Sequence, residues 1–179
     1  MVALTQETFD AIEFDAACSG EHRAAAQEMT RLADSGTQTA AMPRSEAYIR
    51  AGEQWLLADD PAAAVNGFMR AMADGGPASV DPRIPLARAL FQLGRGAEAD
   101  AIREFEEATR LRPRSAEPYV YLALAQANRH LFADAAANIG RAISIDHDAS
   151  NRFLTNAVRL PADARNVDRY LAFLLQQGR

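Results

Sequence analysis

Residues 101–108, with the sequence AIREFEEA, carry the pattern that decides the fold of this chain. Alanine, phenylalanine and alanine stand there at i, i+4 and i+7, which places them on one face of a helix. The same order of small, large and small residues occurs in AVNGFMRA at 64–71 and in AAANIGRA at 135–142. The offsets between the three stretches are 37 and 34 residues. The sequence therefore predicts a helical repeat.

A second stripe at helical spacing precedes each of these triplets. The three stripes are Tyr48, Ala51, Gly52 and Trp55; then Arg83, Leu86, Ala87 and Leu90; then Tyr119, Leu122, Ala123 and Gln126. Turn-forming residues separate stripe from triplet in each unit, at Asp59-Asp60-Pro61, Gly94-Arg95-Gly96 and Asn128-Arg129-His130. Each unit is therefore predicted to be an antiparallel helix pair, in which the small residues let the two helix axes approach to about 8 Å.

The composition agrees with helices and leaves little material for a sheet. Alanine, the best helix former, occurs 39 times, whereas valine and isoleucine together occur 13 times. Because β-branched residues favour strands, this balance predicts an all-α fold. The chain of 179 residues is long enough for one well-buried domain.

These units resemble the tetratricopeptide repeat family, whose repeat is a helix-turn-helix of 34 residues. The resemblance covers residues 45–147 and rests on the aromatic and small positions named above, with Pro113 closing the second unit. Gly76 and His147 stand where that proline would lie in the other two units, and Gln126 replaces a large apolar residue. The resemblance implies a right-handed superhelical stack of antiparallel helix pairs, a TPR-like α-solenoid.

The flanks of the repeats are predicted to be helical as well. Helices are expected at 5–17 and 21–33, separated by Ser19-Gly20 and followed by a polar linker at 34–43. After the repeats, helices at 150–159 and from Asp163 onward would cap the stack. We thus expect an N-terminal flank and linker at 1–43, three repeats at 44–149 and C-terminal capping helices at 150–179. Together they would form one compact domain of about ten helices.

Several classes of function are disfavoured by charge and by missing residue types. The net charge is −5, so general nucleic-acid binding is not expected. All 19 basic residues are arginine, which removes lysine chemistry, and Cys18 is the only cysteine. The sequence contains no apolar run long enough to predict membrane insertion, and no signal sequence is recognised at the start, so a cytoplasmic protein is expected. Neither a cofactor nor a metal ion is expected.

The family resemblance implies a partner-binding groove. In tetratricopeptide repeats the first helices of the pairs line a concave surface, and here those helices carry a second, partly apolar stripe. The predicted partner-binding residues are Ile49, Glu53, Leu56, Ile84, Arg88, Phe91, Val120, Leu124 and Asn128. The apolar members would provide contact area, and the three polar members would orient the ligand.

The predicted function is that of a protein–protein interaction module, an adaptor or scaffold that binds a peptide or helix of a partner in this groove. One alternative is a self-associating homo-oligomer whose groove is filled by its own flanks or by a second copy. A further alternative resembles secretion chaperones built from three such repeats. Binding of chaperone carboxyl tails is disfavoured, because Ile49, Glu53, Pro85, Glu117 and Tyr121 stand where the family's basic and asparagine clamp would lie.

Other polar groups are weaker candidates for chemistry. Arg110, Arg112 and Arg114 are typical of a helix C-terminus, where cations complement the helix dipole. The Asp146-His147-Asp148 stretch is read as a solvated turn rather than as part of a metal site. No combination of a nucleophile, a base and an oxyanion donor is recognised, so the chain is not expected to be an enzyme.

Overall fold

The computed structural model describes residues 3–94 and 97–149, apart from the side chains of Glu98 and Asn128. Within these ranges all regular structure is helical, which confirms the all-α prediction. The helices are α1 (Gln6–Ser19), α2 (His22–Ser35), α3 (Arg44–Leu57), α4 (Pro61–Asp74), α5 (Arg83–Leu93), α6 (Glu98–Leu111), α7 (Ala116–Asn128) and α8 (Phe132–Ile145). The predicted capping helices at 150–179 lie outside the described residues.

The start and end of α4 illustrate how local residues define a helix. The Asp60 carboxylate accepts a hydrogen bond of 3.1 Å from the backbone N–H of Ala63, and Pro61 occupies the first turn, where its missing N–H costs nothing. At the other end, Gly75 adopts a φ of 65° and its N–H bonds to the Ala71 carbonyl. This left-handed conformation suits glycine and stops the helix. The predicted turn at Asp59-Asp60-Pro61 is confirmed.

The chain divides into two compact units, Met1–Ala97 and Glu98–Arg179. The first contains α1 to α5, and the second begins with α6. The boundary falls inside the predicted second repeat, whose two helices therefore belong to different units. The N-terminal flank shares the first unit with the first repeat. The superhelical arrangement of all three repeats stays a prediction.

In the first unit, helices adjacent in the chain pack against one another, and α1 lies on α2 and α3. Two glycines face each other where α3 packs against α4. A Cβ atom added to Gly52 would lie 2.4 Å from Cε1 of Phe68, and one added to Gly67 would lie 3.4 Å from the Cα of Gly52. Because Phe68 is fully buried, its ring occupies the space that a side chain at Gly52 would need.

The segment before α3, predicted as a polar linker at 34–43, is partly helical and partly packed into the core. Helix α2 continues to Ser35, and Met42 is buried in the same core as Phe9 and Phe68. The Leu4 N–H donates a 2.8 Å hydrogen bond to the Thr37 carbonyl, and the Thr39 hydroxyl donates one of 2.9 Å to the Leu4 carbonyl. The segment is therefore a packed part of the unit, because these bonds hold its backbone against the residues before α1.

In the second unit, α6 packs on α7 and α7 packs on α8. The rings of Phe105 and Tyr121 stack with centroids 5.7 Å apart and planes 11° from parallel, which joins α6 to α7. Gln126, which stands where the repeat pattern has a large apolar residue, is buried. Its side-chain oxygen accepts a 2.9 Å hydrogen bond from the Asn138 amide on α8. A buried amide is tolerated there because the neighbouring helix supplies its partner.

The repeated triplets occupy the predicted core positions. Ala64, Phe68, Ala71, Ala101, Phe105, Ala108, Ala135, Ile139 and Ala142 are all buried. The three triplets lie at the same relative positions in α4, α6 and α8. The prediction of their burial is confirmed, because in each helix they form the face that packs against a neighbouring helix.

Candidate partner-binding surface

The apolar residues of the predicted groove are largely core residues in the structure. Ile49, Ile84, Val120 and Leu124 are buried, so their side chains offer no open contact surface. Ile49 belongs to one core cluster with Phe9 of α1 and Met29 of α2. Leu56 and Phe91 are half-buried, and the side chain of Asn128 is outside the described residues. In the first unit, the flanking helices α1 and α2 therefore share a core with Ile49, a residue that the family resemblance had assigned to an open groove.

Two polar members of the predicted groove come together. Arg88 of α5 donates a hydrogen bond of 3.2 Å from Nη1 to Oε1 of Glu53 on α3. Both side chains are about one third exposed, at 33% and 37%. A partly exposed ion pair of this kind contributes little to stability, since water screens it. Its charges are matched within the unit, so Glu53 and Arg88 are already engaged with each other.

An apolar face that the sequence analysis did not single out lies on α1. Phe14 is 69% exposed, the highest value among the large hydrophobic residues described as exposed. Ala11 and Cys18 are exposed as well and, at i−3 and i+4 from Phe14, lie on the same side of the helix. Phe9, Ile12 and Ala16 form the opposite face and pack toward the core. We call Ala11, Phe14 and Cys18 the outer face of α1.

The rotation of α1 about its axis is held by an arginine of α3. Nε and Nη2 of Arg50 donate hydrogen bonds of 2.8 and 2.6 Å to the two carboxylate oxygens of Glu13, and Nη2 donates another of 2.6 Å to Asp10. The guanidinium also lies 5.6 Å from the centre of the Phe9 ring. The hydrogen bond with Glu13 raises the pKa of Arg50 above its ordinary value, against the opposing effect of burial. A bidentate, 15% exposed arginine fixes geometry well, so Phe14 is held pointing outward.

A second network ties α2, α3 and α4 together. The Tyr48 hydroxyl donates a 2.8 Å hydrogen bond to Asp34, and Arg70 bonds both to Asp34 and, at 3.0 Å, to the Tyr48 oxygen. The Arg70 guanidinium lies 4.4 Å from the centre of the Tyr48 ring. Burial, and then the hydrogen bond to Asp34, raises the pKa of the Tyr48 hydroxyl. One carboxylate, one hydroxyl and one guanidinium thus link these three helices to one another.

The remaining candidates are the turn at 146–148 and the thiol of Cys18. Asp146, His147 and Asp148 line an open cleft of about 600 Å³ in the second unit, together with Arg114 and Glu117. Among residues 3–94 and 97–149, no group of three histidine, cysteine or acidic side chains is placed to hold a metal ion. Cys18 is an exposed free thiol. Across the part of the chain that the structure describes, every helix is too short or too polar to cross a membrane.

Comparison with models of protein families and with curated proteins gives no match for this chain.

A signal for the outer face of α1 is present in the sequence. Phe9, Ile12 and Ala16 follow helical spacing, and Phe14 falls on the opposite side of the same helix. A helix with large apolar residues on both sides either packs on both sides or exposes one of them. Sequence alone does not choose between these outcomes, because the choice depends on which other helices reach it.

Proposed function

We propose that this chain is a protein–protein interaction module built from tetratricopeptide-like helix pairs, and that a helical segment of a partner docks on the outer face of α1. The observation that carries the proposal is the exposure of Phe14 on a helix whose rotation is fixed. A phenylalanine in water forgoes about 1.5–3 kcal/mol that burial against a partner would supply. The surrounding exposed residues, Ala11 and Cys18, are small enough to let a second helix approach.

The docking surface proposed here is separate from the groove that the family resemblance implied. Of the groove residues in the first unit, Ile49 and Ile84 are buried, and Glu53 is paired with Arg88. A ligand would have to displace core contacts to reach them. Phe14 needs no such displacement, which favours α1 as the first point of contact.

Affinity capture with a matched pair of variants tests the proposal. Phe14→Ser removes the apolar anchor without changing charge, and Met69→Ser makes a comparable change at an exposed residue, 57% accessible, on α4. We expect wild type and Met69→Ser to retain the same partner from a native lysate, and Phe14→Ser to lose it. Circular dichroism of both variants should show the wild-type helix content.

Retention of identical proteins by all three forms would contradict docking on α1. In that case the groove implied by the family resemblance would be the alternative binding surface. Phe91→Ser, a change at a half-buried groove residue of α5, would be the next variant in the same assay.

A further inference from the structure

From the charges around Phe14 we infer that the docking segment is an amphipathic helix with arginine or lysine beside its apolar stripe. This inference rests on the proposed function and specifies the chemistry of the partner. It combines two observations on α1, an exposed aromatic residue and an unbalanced set of carboxylates.

The apolar part of the surface is narrow and centred on one residue. Ala11, Phe14 and Cys18 occupy successive turns along one side of α1. A strip of this shape matches the stripe that an amphipathic helix presents at i, i+3, i+4 and i+7. Phe14 would lie between large apolar side chains of the docking helix, as a ridge lies in a groove.

The charged side chains of α1 itself are all negative. Helix α1 carries Glu7, Asp10, Glu13 and Asp15 and has no basic residue. Arg50 neutralises Asp10 and Glu13 only in part, since one cation meets two anions. Glu7 and Asp15 are exposed, and within residues 3–94 and 97–149 neither makes a side-chain hydrogen bond or ion pair.

The excess of negative charge on α1 favours a docking helix that carries basic residues. Two helices packed 8–10 Å apart bring the residues that flank their apolar stripes within reach of each other. Arginine or lysine at those positions of the docking helix would pair with Asp15 and Glu7, whereas glutamate would be repelled.

The same charges disfavour a symmetric contact between two copies of this chain. In a two-fold interface each residue of the patch faces the patch of the other copy, so α1 would meet α1. Carboxylates would then lie against carboxylates with no cation on either helix, which is a repulsive arrangement.

Fluorescence anisotropy with two designed peptides tests the inference on the full chain. Both peptides have about 18 residues with leucine at i, i+3, i+4 and i+7, one with arginine and the other with glutamate beside the leucines. We expect the arginine peptide to bind at least tenfold more tightly than the glutamate peptide. Raising the salt concentration from about 0.05 M to about 0.5 M should weaken its binding.

Variants separate the apolar contribution from the electrostatic one. Phe14→Ser should weaken binding of the arginine peptide at least tenfold, whereas Met69→Ser should leave it unchanged. The double variant Glu7→Gln with Asp15→Asn should reduce the salt dependence while circular dichroism shows the helices intact. Equal binding of the two peptides, or equal binding by wild type and Phe14→Ser, would overturn the inference.

Sedimentation of the chain alone tests the symmetric alternative. We expect the wild-type chain and Phe14→Ser to sediment in the same oligomeric state. A dimer at micromolar concentration that is lost in Phe14→Ser would assign the face to a second copy and overturn the inference.

Failure of the peptide experiment can be told apart from failure of the capture experiment. If capture depends on Phe14 but the peptides bind equally, the interaction module stands and only the basic character of the partner is wrong.

Discussion

Replacing Gly52 with alanine should destabilise the first unit, although alanine is the better helix former. Gly52 lies inside α3, where the change to alanine favours the helix by about 1 kcal/mol. Its Cβ atom, however, would lie 2.4, 2.7 and 2.8 Å from three atoms of the Phe68 ring. Overpacking of this kind costs about 1–3 kcal/mol or more, because a fully buried ring cannot move without displacing its neighbours. Three contacts below 3.0 Å place the cost in the upper part of that range, about 2–3 kcal/mol, so we expect a net loss of about 1–2 kcal/mol in the free energy of unfolding.

Gly140 provides the matched control. It also lies inside a helix, α8, but a Cβ atom there would meet nothing within 4 Å. Gly140→Ala should therefore stabilise the second unit by about 0.5–1 kcal/mol through helix propensity alone. The two substitutions are chemically identical, so the opposite signs isolate the effect of packing at the crossing of α3 and α4.

Urea unfolding measures both variants. Trp55, the only tryptophan, lies in α3 and reports unfolding of the first unit by fluorescence, while circular dichroism follows the helices of both units. Phe68→Leu should cost less in the Gly52→Ala background than in wild type, because the smaller side chain relieves the overlap. If Gly52→Ala were as stable as wild type or more stable, the close approach of the two helices would be refuted.

Three further predictions follow from individual contacts. Phe105→Ala should cost about 3–5 kcal/mol, because it leaves a cavity beside Tyr121, and an unchanged urea midpoint followed by circular dichroism would contradict its core position. Arg50→Met should increase hydrogen exchange throughout α1 while α4 stays protected, with Arg23→Met, a change at a more exposed arginine, as the control. The raised pKa of Tyr48 means that the folded state holds this proton more tightly, so its contribution to stability is present below pH 10.0 and is lost as the pH rises further. In a spectrophotometric titration, one of the four tyrosines should ionise later than an ordinary tyrosine, and Tyr48→Phe should remove that late step.

The helices and their core faces were predictable because both depend on local patterns. Ala64, Ala101 and Ala135 could be assigned to the buried faces of their helices from spacing alone, since small and large residues recur there at helical intervals. The first flanking helix was predicted at 5–17 and is observed at Gln6–Ser19, with Thr5 as its cap and Gly20 ending it in a left-handed conformation. These signals act within one or two turns of the chain, which is why they can be read without a structure.

The linker and the stripe on the first helices could not be assigned in the same way. Met42 lies in a segment of polar composition but is buried, because the chain before α1 bonds to the linker and closes the core over it. Ile49 has the same helical spacing whether it faces solvent or a flank. Its burial is decided by residues far away in sequence, such as Phe9 and Met29, that share its core.

The sequence by itself determined the helical class, the positions of most turns and the alanine and aromatic positions at which helices meet, since these follow from propensity and a period of 3.6 residues. Only the tertiary structure decided which apolar residues become core and which remain surface. Phe14 stays exposed because α2 and α3 cover α1 from the opposite side and Arg50 fixes its rotation. Exposure is a property of neighbours brought together by folding, and no local pattern contains it.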